Sequence, residues 1–268
     1  MHTIYLMRHS FVGRSDWRAS ERREPSIMLS EERLEKRFKL LEDVSVRSMA
    51  DQTDPEFDLI LIGAAAAPRK HKKKVKELFK DMLGDRGHVL FKPPQSVSIP
   101  LTRFRRNSLM REEYCNQVIL DDDDAVASWF TDRIKKEAKA ALSLFVKDQT
   151  YSFISHAKGF ALVYEADGTH TLRTRNIGST ALGLTLLSKA DERRSPFKIA
   201  HKKIINRRPV RVVYGGPPMY IRGVHDDNNS KAVTGGDIVD PEKIQALMAD
   251  GFPLLKPFFE KELQAQAT

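Results

Sequence analysis

The chain of 268 residues contains one cysteine, Cys115, which excludes an internal disulfide and any multi-cysteine metal site. No apolar run approaches the roughly 18 residues that a membrane-spanning helix needs. Residues 1–6 read as a strand and lack the basic flank and apolar stretch of a secretory leader, so a cytoplasmic protein with no membrane partner is expected. Neither Gly-x-x-x-x-Gly-Lys nor Gly-x-Gly-x-x-Gly occurs, which removes the familiar glycine-rich phosphate cradles. There is no internal repeat, and Gly215-Gly216-Pro217-Pro218 and Gly235-Gly236 read as turns.

What is present is a foldable, basic composition. Apolar residues make up 41% of the chain, enough for a sizeable core and against wholesale disorder. Lysine and arginine number 45 against 36 aspartates and glutamates, a difference of +9. Such a balance suits either a nucleic-acid surface, if the charge is clustered, or a site for anionic phosphate substrates.

Apolar, β-branched segments predict strands over residues 3–7, 57–62, 88–91 and 151–155, with further candidates at 181–187 and 210–214. Helical spacing follows Ser30, where Leu34, Phe38 and Leu41 share a face, and follows Pro68. Residues 95–120 show no clear period. Asp121, Asp122, Asp123 and Asp124 read as an acidic cap for a long amphipathic helix, because carboxylates favour the positive helix end. Residues 159–166 read as a short helix, and the end of the chain, 241–263, as helical. Strands alternating with helices predict an α/β protein, a three-layer α/β/α arrangement around a mainly parallel sheet. Residues 1–190 form the natural unit, with 191–268 as an extension packed on it.

Two histidines close predicted strands: His9, with Arg8 before it, and His156. In open α/β sheets that edge is where ligands bind. Imidazole, guanidinium and a second imidazole are the groups that phosphoryl transfer to a histidine would need. The His225-Asp226-Asp227 stretch reads as a polar loop rather than a cation site.

Residues 4–10, Ile-Tyr-Leu-Met-Arg-His-Ser, resemble the opening signature of the histidine phosphatase (phosphoglycerate mutase-like) superfamily, nearest its phosphohistidine phosphatase branch. Ser15-Asp16-Trp17, residues 29–32, residues 57–63, residues 154–159 and residues 176–180 resemble later segments of that branch, in order. The resemblance implies a phosphoglycerate mutase-like fold over residues 1–190 and a metal-independent phosphatase needing no cofactor. His9 would be the phosphorylated nucleophile, with Arg8 and His156 holding the phosphoryl group of a phosphorylated small molecule or phosphoprotein. The family's second pocket arginine falls at His71, with Arg69 as a substitute, and Glu112 is the nearest proton donor. Lys72, Lys73 and Lys74 read as a solvated helix face. Two other readings stay open: a catalytically weak or inactive binding module of the same fold, and a nucleic-acid-binding protein using its basic segments at 69–74 and 198–211.

Overall fold

The computed structural model describes residues 1–13, 24–198, 203–226 and 235–260. Ser15, Asp16, Trp17, His201, Lys202, Asp227 and the last stretch to Leu263 lie outside the described residues.

The strands are β1 (His2–His9), β2 (Phe57–Ala64), β3 (Gly87–Lys92), β4 (Tyr114–Ile119), β5 (Asp124–Val126), β6 (Tyr151–His156), β7 (Lys158–Tyr164), β8 (His170–Asn176), β9 (Thr185–Lys189), β10 (Val210–Val213) and β11 (Tyr220–Val224). The helices are α1 (Pro25–Met28), α2 (Glu31–Leu40), α3 (Arg47–Ala50), α4 (Arg69–Leu83), α5 (Ser98–Ser108), α6 (Phe130–Leu142) and α7 (Pro241–Asp250). A π-helical turn, Leu41–Val46, joins α2 to α3.

Seven strands form one sheet in the order β10-β6-β9-β4-β1-β2-β3. All neighbours run parallel except where β9 pairs antiparallel with β4 and β6. The sheet is buried on both faces, as mainly parallel sheets are. In β1 the alternation is plain: Tyr5 and Met7 join Val75, Phe79, Phe130 and Ile134 under α4 and α6. Ile4 and Leu6 join Val97, just before α5, and Leu101 of α5 on the other face. A second sheet, β5-β11-β7-β8, has its own core of Ala125, Leu162 and Ile221 under Ile244, Phe252 and Leu255. Residues beyond 190 contribute a strand to each sheet, β10 and β11.

Two expected helical features are not helical. Residues 159–166 lie in β7, which pairs along its length with β8 and β11. The run from Asp121 to Asp124 caps no helix: it is a turn, closed by the Asp124 N–H donating to the Asp121 carbonyl at 3.2 Å, that leads into β5. Pairing of Asp124, Ala125 and Val126 with β11 commits that backbone to a strand, and the helix starts only at Phe130. The unassigned stretch 95–120 resolves into α5 and β4.

Candidate active site at the edge of β1 and β4

Strands β1 and β4 are neighbours, yet the chain runs from β1 outward to β2 and β3 before returning to β4. Their carboxyl ends therefore mark the point where strand order reverses, the place where α/β sheets open a crevice for ligands. Arg8 and His9 end β1 there, and Asp121 to Asp124 leave β4 there. Ser10, with φ 45°, turns the chain sharply after His9, a conformation uncommon for a residue with a side chain.

Polar side chains crowd the edge. His9, 1% exposed, places Nδ1 2.6 Å from Asp122 Oδ2 and Nε2 2.9 Å from His71 Nε2, the two rings nearly parallel. With Nδ1–H donating to the carboxylate, His9 Nε2 is the acceptor and His71 Nε2–H the donor. Arg37 arrives from α2. It grips both oxygens of Asp122 and donates to Asp123 Oδ2 at 2.9 Å. His225, just past β11, brings Nε2 to 3.0 Å from the same Asp123 oxygen. Arg33, one turn before Arg37, reaches Ser10 Oγ at 3.4 Å. Nearest to solvent, Arg8 (13% exposed) forks onto Asp121 (18%) with contacts of 2.6, 3.0 and 3.1 Å. Phe197 lies under the Arg8 guanidinium at 4.9 Å.

Burial, then the charges of Arg37 and Arg33, lowers the pKa of His9 to about 3. Burial and the neighbouring His9 lower that of His71 to about 4. Both rings are neutral at physiological pH. The adjacent acids diverge. Burial alone would raise Asp123, but the Arg37 charge and the His225 hydrogen bond hold it well below the carboxylate range. Burial and the charges of Asp123 and Asp121 push Asp124 well above it. The two adjacent carboxyls are thus pushed in opposite directions, a pattern typical of reaction sites. Gly223 is required here: a Cβ would lie 2.2 Å from the Asp123 carbonyl oxygen, so only glycine lets β11 close on the acidic turn.

Of the residues singled out in the sequence, His9 and His71 are in contact, and Arg8 lies at the same edge on the opposite face of β1, over Phe197. His156 ends β6 at the same sheet edge, but β4 and β9 stand between β6 and β1, so about 14 Å of sheet separates the two histidines. Arg69 is exposed at the start of α4. Glu112 pairs at 2.7 Å with the amine of Met1, at the opposite end of β1. Sequence reasoning missed Arg33, Arg37, Asp122, Asp123 and His225. Its one local signal was the acidic run directly after the apolar end of β4. Among the described residues, no three His, Cys, Asp or Glu side chains are grouped to hold a metal ion.

Residues 2–237 match the family model described as "Putative rhamnosyl transferase", and the chain belongs to that family. No curated protein matches. Among solved structures, TarS 1-349 of S. aureus is 12% identical, covering 83% of this chain and 60% of its own, with a TM-score of 0.39. The same protein in complex with UDP is 12% identical, over 92% and 63%, at 0.45. A Vibrio cholerae nucleoside-diphosphate-sugar pyrophosphorylase is 11% identical, over 84% and 91%, at 0.32. The chain spans about three fifths of the TarS chains it matches.

The family match overturns the resemblance to histidine phosphatases, and with it the phosphoglycerate mutase-like fold, the hydrolase activity and the phosphorylated small molecule or phosphoprotein as partner. The geometry gives the physical reason. Both nitrogens of His9 are engaged and the ring is closed off from solvent, so it has no free lone pair to attack phosphorus. His156 is three strand spacings away, so it cannot share a phosphoryl group with His9. The basic run in α4 is not a single nucleic-acid face either: His71 is buried and Lys74 pairs with Glu35 at 2.7 Å. No helix among the described residues is long and apolar enough to cross a membrane.

Proposed function

We propose that the protein is a glycosyltransferase that moves a rhamnosyl group from a nucleoside-diphosphate donor to an acceptor hydroxyl, with the donor seated at the edge of β1 and β4. The observation that carries this reading is the arginine–carboxylate network at the strand-order reversal, in a chain of the rhamnosyl transferase family. In such a transfer the bond between the sugar's anomeric carbon and the diphosphate breaks, the acceptor oxygen bonds to that carbon, and the acceptor proton passes to solvent water. Negative charge grows on the leaving diphosphate, and cations fixed in advance stabilise it best. Arg8 is the accessible fork for two phosphate oxygens. Turning to the donor, it frees the Asp121 carboxylate to accept hydrogen bonds from donor hydroxyls. Arg37, Asp122, His9 and His71 form the floor that fixes the acidic turn.

The experiment is calorimetric titration with UDP, dTDP and GDP, followed by measuring nucleoside diphosphate released from the matching activated rhamnose. At least one diphosphate binds wild type, and Arg8→Gln weakens it tenfold or more, about 1.4 kcal/mol. Absence of binding by all three, or equal binding by Arg8→Gln, refutes the assignment.

A further inference from the structure

At the far end of the same sheet edge, His156 has no part in the donor site. It is 3% exposed, and neither ring nitrogen has a hydrogen-bond partner. Natural structures leave few buried polar atoms unsatisfied, and those few call for an explanation. Parallel pairing sets Val213 opposite His156 and Arg211 opposite Ile154. Residues two apart share a face, so His156 and Arg211 project to the same side. α6 covers that side. Phe130 meets the His156 ring edge-on at 5.6 Å, and Glu137 takes Arg211 Nε and Arg133 Nη2, each at 2.8 Å. The turn at Gly216 passes over Arg133, where a Cβ would lie 3.7 Å from Nη2, and Lys158 reaches the Gly216 carbonyl at 3.5 Å. Tyr214 leads into this turn with its side chain 59% exposed. Three cations and one carboxylate leave this corner with a net charge of 3 − 1 = +2.

Building on the proposed transfer, we infer that Arg133, Arg211, Lys158 and Tyr214 form the acceptor subsite over the buried His156, and that the acceptor is a saccharide bearing an anionic group, phosphate or carboxylate. Guanidinium forks match two oxygens of either anion. The open tyrosine ring offers an apolar surface with a polar tip for a sugar face. The imidazole beneath this corner keeps one donor and one acceptor unused, so its signals report a change in the residues that cover it. Strand β6 lies three strand spacings, about 14 Å, along the edge from β1.

The test is NMR of the full chain with nitrogen-labelled histidine, titrated separately with glucose 1-phosphate, glucuronate, glucose and inorganic phosphate. The His156 signals shift saturably with glucose 1-phosphate, glucuronate or both, at concentrations at least tenfold below those needed for glucose, and the anion that acts identifies the charged group. Inorganic phosphate binds more weakly than the charged sugar. Arg133→Gln with Arg211→Gln removes the response. Tyr214→Ala weakens the charged sugar about fivefold and leaves inorganic phosphate unchanged. Signals of His2 and His88, at the opposite edge, report that each variant is folded. A silent His156, equal binding of glucose and the charged sugars, or a response surviving the double arginine variant overturns the inference. A nucleoside diphosphate titration of the same sample reads His71 and His225 instead, so failure of the donor site and failure of the acceptor site are separately visible.

Discussion

Replacing Arg37 with methionine removes the cation that two buried carboxylates share. Arg37 is buried, as are Asp122 and Asp123, and it bonds both oxygens of the first and one of the second. Methionine keeps most of the volume, so packing loss is small, and the cost is that of buried charge left uncompensated, about 3–5 kcal/mol. Asp123 keeps its His225 contact, which sets the expectation at the lower end of that range. For a chain of this size the same loss lowers the melting temperature by roughly 10 °C. Urea denaturation at pH 7 measures it, read as a lower midpoint at unchanged slope. Two further signs separate this cause from a simple cavity. Without the Arg37 charge, the His9 pKa rises from about 3 toward its ordinary value. Lowering the pH, which neutralises the stranded carboxylates, narrows the gap between variant and wild type. A loss under about 1 kcal/mol, or a gap that widens in acid, refutes the view that Arg37 neutralises this turn.

Gly223→Ala drives a methyl group against the Asp123 carbonyl and costs about 1–3 kcal/mol, whereas Gly215→Ala, with no atom within 4 Å, leaves the melting temperature within a degree or two. Buried His9, His71 and His156 have pKa values lowered to about 3, 4 and 4. The unfolded chain binds protons near pH 6.5 that the folded state refuses, so stability falls as pH drops from about 7 toward 4, by on the order of 2 kcal/mol for His9 between pH 7 and 5. His9→Gln flattens that slope in urea midpoints measured against pH. At the opposite edge burial would raise the Asp58 pKa, but the close His2 ring and the His88 hydrogen bond, each at 2.7 Å, depress it. Its contribution is present above the unfolded carboxylate pKa and lost at lower pH, so Asp58→Asn removes part of the acid limb below about pH 4.

Buried strands with long apolar runs, such as β1, β2 and β6, were legible because burial on both faces leaves an unbroken hydrophobic signature. β5 was not. Three residues behind four aspartates carry no strand pattern, and only pairing with β11, nearly a hundred residues later, makes them extended. The same distance hid the site. His9 stood out at a strand end, but its chemistry depends on Asp122 and on His71, which the packing of α4 delivers. Read without them, Arg8 and His9 looked like a phosphoryl-accepting pair. Arg37 carries no motif, and its role exists only because α2 points it at the acidic turn.

The most direct check on the donor site is the histidine NMR footprint of a nucleoside diphosphate on wild-type protein. Shifts at His71 and His225 with no change at His2 and His88 place the nucleotide at the edge of β1 and β4. Shifts confined to His2 and His88, or none at any histidine at saturating ligand, contradict the account.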